Sequence, residues 1–313
     1  MAEENAIPLV ASPWKLKGSV YAFAYWTKVD ASGNLPDVAY SPLEHASSFA
    51  SPEAGRPIGG LSMIQIIRYA ESPAGPYDEL LISPGSFEYT VEDKNGKRVK
   101  KRHLRITRAY VSQKITSWNG RTSEYMTTLK WVAARRRFSA YNILLTRAID
   151  WNVPKHLAKF DWVTGVDGQM SVKVFPHDTT DDPKESSPSP TPFFQASFKP
   201  TAYLPSFPLS FKVLNSIGII NTTLVHPPLP AGSGSQGELP GTDRWCAVSP
   251  NLWSRKTSLG WFDIRQGDAQ DSLGPKNDNF WPGLGRWQLG YVMNDCEVDF
   301  PDGEHWDSPK SIN

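Results

Sequence analysis

Lys155 sits directly behind Pro154 and among Val153, Leu157 and Phe160, an unusual setting for a strongly hydrated ammonium. Proline fixes its own φ and biases the residue before it towards an extended conformation. The chain therefore enters Lys155 extended, and a helical turn is expected at residues 156–158. If Lys155 points inward, its apolar neighbours desolvate it. Desolvation disfavours the charged form of a lysine, and a neutral amine is a nucleophile that condenses with carbonyl compounds. The competing reading of the same residues is a surface lysine whose stem lies over Phe160 while its head stays in water.

Other chemistries find less support. The six histidines are scattered, without His-x-His or His-x₃-His spacing, so no metal is expected. Gly232-Ser233-Gly234 lacks the Lys-Ser/Thr of a phosphate loop, and there is no Gly-x-Ser-x-Gly elbow. With 33 basic against 32 acidic residues the net charge is +1, which argues against nucleic acid or a membrane surface as partner. The 12 tryptophans lack an accompanying basic stripe, so they read as core and pocket wall rather than a base-stacking platform. Two cysteines, Cys246 and Cys296, suit a reducing compartment better than a disulfide framework. The first residues lack the basic and apolar regions of a signal peptide, and no run of about 18 apolar residues exists. A cytoplasmic protein is expected.

The elements that must position Lys155 read as strands. Residues 19–26 alternate large and small side chains, and residues 61–69 form an apolar run suited to a buried strand. A turn cluster at residues 71–77 leads into a second strand at 78–82. Asn95-Gly96 signals a hairpin, with the basic cluster 97–102 as its solvated tip. Residues 104–111 alternate as one strand, and residues 117–121 read as a turn. Residues 161–175 suit a hairpin, and residues 245–248 and 285–293 suit strands. Residues 214–226 read as a strand or short helix lining the pocket. Residues 178–192 and 227–241, rich in Pro, Ser and Gly, read as flexible loops. Neither a repeat nor a linker is evident, so residues 1–313 are expected to form one domain.

Four segments together resemble the acetoacetate decarboxylase-like superfamily, in particular a longer branch found in filamentous fungi. They are residues 72–82 (Ser-Pro-Ala-Gly-Pro-Tyr-Asp-Glu-Leu-Leu-Ile), residues 105–112, Asn119-Gly120-Arg121, and residues 151–158 (Trp-Asn-Val-Pro-Lys-His-Leu-Ala). Residues 280–287 are similar to the end of those chains. The resemblance implies a mainly β, α+β fold built on a closed or nearly closed, cone-shaped barrel with peripheral helices and with Lys155 inside it. It places the Schiff-base lysine at Lys155, a proton-shuttling acid at Glu79 and a carboxylate-binding arginine at Arg121. Tyr77, Gln65 and His156 complete the set as substrate-contacting residues. No cofactor is implied. The protonated imine withdraws electrons so that a bond β to it breaks, leaving an enamine.

Three departures qualify the carry-over. His156 stands where the family has a second lysine, Thr122 where an acid often follows Gly-Arg, and Gln65 or Ser62 where a second acid is expected. These changes leave the imine in place and make decarboxylation one option beside aldol or dehydration chemistry. In addition, about 30 residues separate Arg121 from Pro154, where relatives have only a few. The composition of the extra segment, roughly residues 122–149, suits a short helix over 125–138, although the run Arg135-Arg136-Arg137 breaks any clean apolar stripe. It reads as a lid, as a binder of an anionic partner, or as translated intron sequence. The expected function is a cofactor-independent, imine-forming lyase acting on a β-keto acid or related carbonyl compound in specialised metabolism. The alternative is a barrel that binds an apolar metabolite without covalent chemistry. The expected partner is a small carbonyl substrate, with self-association left open.

Overall fold

The computed structural model describes residues 7–93, 95–122, 151–177, 184–185, 187–202, 204–266 and 280–307. The helical stretch expected at 125–138, and the insertion around it, lie outside these residues. The strands, in chain order, begin with β1 (Trp14–Thr27), β2 (Arg56–Glu71), β3 (Tyr77–Ser83), β4 (Ser86–Glu92), β5 (Arg98–Leu104) and β6 (Arg108–Val111). They continue with β7 (Lys155–Thr164), β8 (Met170–Pro176), β9 (Lys184–Glu185), β10 (Phe194–Pro200), β11 (Phe207–Ser210) and β12 (Leu224–His226). The last are β13 (Ser233–Gly234), β14 (Trp245–Val248), β15 (Asn251–Asp263), β16 (Trp287–Phe300) and β17 (Glu304–Trp306). Among the described residues three short α-helices accompany them: α1 (Pro42–His45), α2 (Lys114–Arg121) and α3 (Phe211–Ser216).

The architecture is mainly β, and nine strands close a barrel. The ring runs β1-β16-β15-β10-β8-β7-β6-β3-β2 and returns to β1 through the β1–β2 pairing. Closure removes the free edges that an open sheet of this size would expose. Gly18 permits the close passage of β1 against β2. A Cβ there would lie 2.2 Å from the Arg68 carbonyl oxygen, and the register shifts at this point on both sides of β1.

Alternation along the strands separates two apolar layers. One layer draws on all nine strands, with Tyr21, Phe23, Ile64, Leu80, Tyr110, Ala158, Val174, Phe198, Phe262 and Val292 among its members. Tyr21 of β1 meets Trp162 of β7, which is not its neighbour in the ring, with ring centroids 5.9 Å apart. That contact crosses the lumen, so this layer fills the barrel. The second layer, including Trp14, Leu16, Ile67, Tyr69, Tyr77 and Val111, lies on the opposite face of the same wall. It is covered by a smaller sheet. At Arg56–Gly59, β2 leaves the barrel to pair with β4, and the order continues β5-β12-β14-β17.

One junction in the ring is parallel. Ala109, Tyr110 and Val111 of β6 pair with Lys155, His156 and Leu157 of β7. Parallel neighbours require a crossover connection. Here it contains α2 and residues 123–150. The flanks of that undescribed segment meet, because the Val153 amide donates to the Gly120 carbonyl at 3.1 Å.

Several sequence expectations change at this junction. Residues 156–158 are strand rather than a helical turn, since β6 supplies them with a parallel partner. Residues 117–121 belong to a helix rather than a turn. The alternation at 104–111 is broken into two strands by Arg105, which is fully buried. Its guanidinium lies 4.1 Å from the Phe87 ring centroid and donates to the carbonyls of Ala54 (2.6 Å) and Val225 (3.2 Å). The stretch at 227–241, expected as a loose loop, packs with Leu229, Glu238 and Leu239 buried.

Candidate functional site

Lys155 opens β7, and its side chain is fixed by what surrounds its backbone. Asn152 takes a left-handed conformation (φ 49°), which asparagine tolerates better than most residues. Its Nδ2 donates to the carbonyls of Pro227 (3.1 Å) and Arg244 (2.6 Å). Trp151 donates to the Pro301 carbonyl at 2.8 Å and packs edge-on against Trp14. The chain therefore turns into β7 at a rigid corner. The Lys155 carbonyl then accepts from Ser117 Oγ at 3.2 Å and Arg121 Nη1 at 3.3 Å.

Since Ala158 belongs to the lumen layer, the parity of β7 sends His156 towards that side and Lys155 away from it. Lys155 therefore does not lie inside the barrel, as the resemblance implied. It lies on the outer face of the wall, beneath the smaller sheet. Its Nζ is 2.8 Å from Glu79 Oε1, and both side chains are buried. The pairing register explains the meeting. Glu79 pairs with Val111 across β3–β6, and Val111 with Leu157 across β6–β7. Glu79 is thus level with Leu157, two residues along the same face from Lys155.

Two tyrosines complete the floor. Tyr69 and Tyr77 pair across β2–β3 with ring centroids 4.5 Å apart. The Tyr69 hydroxyl donates to Glu79 Oε2 at 3.2 Å, and Lys155 Nζ lies 5.7 Å from the Tyr77 ring centroid. Burial first, and the Glu79 carboxylate second, raise both phenols well above their ordinary value. Both therefore remain hydroxyl donors at neutral pH.

This floor closes a cavity of about 540 Å³ between the barrel wall and its cover. Gln65, Tyr77, Glu79 and Lys155, all anticipated from sequence, line it together. So does the stretch from Leu214 to Leu224, expected as a strand or short helix and in fact α3 followed by a loop into β12. Tyr69 was missed. The signal was present, because Gln65, Ile67 and Tyr69 share one face of an alternating strand.

Arg121 and His156 are not brought to the cavity. Arg121 is fully buried behind Lys155, and each of its side-chain nitrogens already donates within the protein. Nε reaches the Pro240 carbonyl (3.3 Å), Nη2 the Pro230 carbonyl (2.8 Å) and Nη1 Glu44 Oε1 (2.9 Å). His156 Nε2 lies 2.7 Å from the other Glu44 oxygen. Burial alone would raise the Glu44 carboxyl. The charges of His156 and Arg121 outweigh it and hold the group down, at about 2. Glu44, from a segment with no strand or helix signal, was not anticipated. Arg121 is therefore a positioning residue for Lys155 and the packed 227–241 segment, with no donor directed at a substrate.

Gly120 explains why a glycine occupies the last turn of α2. A Cβ there would lie 2.6 Å from Lys155 Cδ and 2.8 Å from Cε. In an ordinary helix, alanine is more favourable than glycine by about 1 kcal/mol. Here Gly120→Ala is expected to leave the fold intact, by circular dichroism and melting, and to displace the lysine. Imine trapping on Lys155 should drop at least tenfold, and an unchanged trapping rate would refute this role for the glycine.

Among the described residues no cluster of His, Cys, Asp and Glu is arranged to hold a metal ion. No described helix is long and apolar enough to cross a membrane. No model of a known protein family and no curated protein matches the sequence.

Proposed function

We propose that this protein is an imine-forming lyase in which Lys155 is the nucleophile and Glu79 the proton shuttle. The observation that carries this reading is the buried Nζ, 2.8 Å from a buried carboxylate at the floor of a cavity large enough for a drug-sized ligand. The resemblance of residues 72–82 and 151–158 to acetoacetate decarboxylase-like proteins supports it. In the reaction, the Lys155 ammonium gives a proton to Glu79, the free amine attacks a carbonyl carbon, and the carbonyl oxygen leaves as water with that proton returned to it, giving a protonated imine. A bond β to the imine carbon breaks, and its electron pair forms the enamine. The fragment leaves as carbon dioxide, with solvent then protonating Glu79, or as an aldehyde whose hydroxyl proton passes to Glu79. The enamine carbon then takes a proton from Glu79, and water hydrolyses the imine to release product and amine. Geometry suits the acid-base role, because Glu79 is within hydrogen-bond reach of the amine it serves. Tyr69 holds the second carboxylate oxygen and keeps the first directed at Nζ.

A second reading, in which the cavity binds an apolar metabolite without reacting, draws support from the apolar walls and from Arg121 being turned away. Borohydride trapping separates the two. The protein is incubated with small ketones and β-keto acids, reduced, and read by intact mass and peptide mapping. A stable adduct on Lys155 is expected. Absence of any adduct on folded protein would leave plain binding as the function.

A further inference from the structure

We infer that the ligand of this cavity is a neutral ketone or aldehyde carrying a long apolar chain, with a β-hydroxyl where it is cleaved, and not a short keto acid. The inference rests on the reading of Lys155 and Glu79 as the reactive floor, and it names what reaches that floor. The cavity is polarised along its length. Its floor is Lys155, Glu79, Tyr69 and Tyr77, all buried. Its mouth is marked by Leu61 and Ile219, which line it and are 58% and 65% exposed. Between them the walls are mainly apolar, from Met63 and Ile67 of the barrel to Phe211 and Leu214 of α3. A ligand with a carbonyl at one end and a hydrocarbon chain at the other satisfies both ends. A four-carbon keto acid would leave most of about 540 Å³ without a ligand atom against it.

The charge inventory points the same way. A substrate carboxylate needs a cation, and the basic side chains lining the cavity are engaged. Lys155 is paired with Glu79. Arg102, near the rim, shares Glu88 with Arg56 and Lys100, at 3.3 Å from Oε2, and is largely in solvent, away from the buried floor. His103 Nδ1 is 2.8 Å from the Tyr89 hydroxyl, and burial, with Lys101 adding to it, lowers its pKa, so it is neutral at pH 7. Arg121, the one cation whose sequence position suggested a carboxylate clamp, donates elsewhere. An acid whose carboxylate is buried beyond the rim would therefore carry an uncompensated charge, which is costly in an apolar site. The carbonyl needs no such partner. Nζ attacks its carbon, and its oxygen departs as water with a proton passed through Glu79.

The test is calorimetric titration of the full chain with 2-alkanones from four to ten carbons, alongside acetoacetate and decanoate. Each added methylene that finds the apolar wall should tighten binding about fourfold, and neither acid should bind as tightly as 2-decanone. Affinity that is flat with chain length, or acetoacetate binding more tightly than 2-decanone, would overturn the inference. Met63→Trp, which adds bulk to the wall next to Leu61, is expected to weaken the longer ketones more than 2-butanone, so that the gain per methylene falls. Equal loss for all chain lengths would count against the assigned axis. Borohydride reduction of the same mixtures keeps the two proposals apart. Chain-length dependence without an adduct supports the ligand class and removes the imine. An adduct on Lys155 with flat affinity does the reverse.

Discussion

Lys155→Met should eliminate the borohydride adduct and all carbon–carbon cleavage, and it should also destabilise the protein by about 3–5 kcal/mol. The second effect follows from burial. Removing one member of a buried ion pair leaves the other charge without compensation, and such truncations cost about that much. Glu79 would retain only the Tyr69 hydroxyl at 3.2 Å. The double variant Lys155→Met/Glu79→Gln, which removes both charges, should recover most of the lost stability and none of the chemistry. Denaturant midpoints of the three proteins measure the stability term, and trapping measures the chemical one. Glu79→Gln alone keeps the nucleophile and removes the shuttle, so imine formation should slow by about 10²–10⁴, the usual worth of a positioned acid-base group. A Lys155→Met protein as stable as wild type would mean that the pair is solvated in solution. Glu79→Gln with unchanged trapping kinetics would remove the shuttle from the mechanism.

The floor of the site was legible because its parts are local signals. Pro154-Lys155 and the turn at residues 72–77 are punctuation that a chain carries in its sequence. Once residues 61–69 and 78–82 are read as adjacent antiparallel strands, alternation puts Gln65, Tyr69, Tyr77 and Glu79 on one face. The barrel was implied by the resemblance, and the closed nine-stranded ring bears out the fold class. What sequence reasoning did not reach was long-range. The face of the wall that Lys155 occupies depends on which strand β7 pairs with, and β6 is separated from it by the crossover. Gly120 reads locally as a turn residue after Asn119, whereas its purpose is steric room for a side chain 35 positions away. β15, the 13-residue strand joining β16 to β10, was overlooked because its polar residues interrupt the apolar pattern. Glu44 carries no local signal at all. Its significance exists only where three distant segments converge.

That convergence gives the second large effect. Folding lowers the Glu44 carboxyl from its ordinary 4.5 to about 2, so the unfolded chain binds this proton more tightly than the folded one. The contribution to stability is complete above pH 4.5 and is lost as pH falls towards 2. A depression of this size corresponds to roughly 3 kcal/mol, at 1.36 kcal/mol per pKa unit. Glu44→Gln should flatten the stability profile across that window, and a profile indistinguishable from wild type would refute the assignment. Arg121→Met should cost about 3–5 kcal/mol, since it leaves a buried carboxylate facing His156 alone. It also removes one of the two donors that hold the Lys155 carbonyl, Ser117 Oγ being the other, so trapping should slow for every substrate. The pattern across substrates separates positioning from recognition. If Arg121 acts only from behind Lys155, the variant slows adduct formation with acetoacetate and with 2-butanone by the same factor. If it gripped a carboxylate, acetoacetate alone would suffer, and the geometry that directs all its nitrogens at Glu44 and three backbone carbonyls would not be the one that operates.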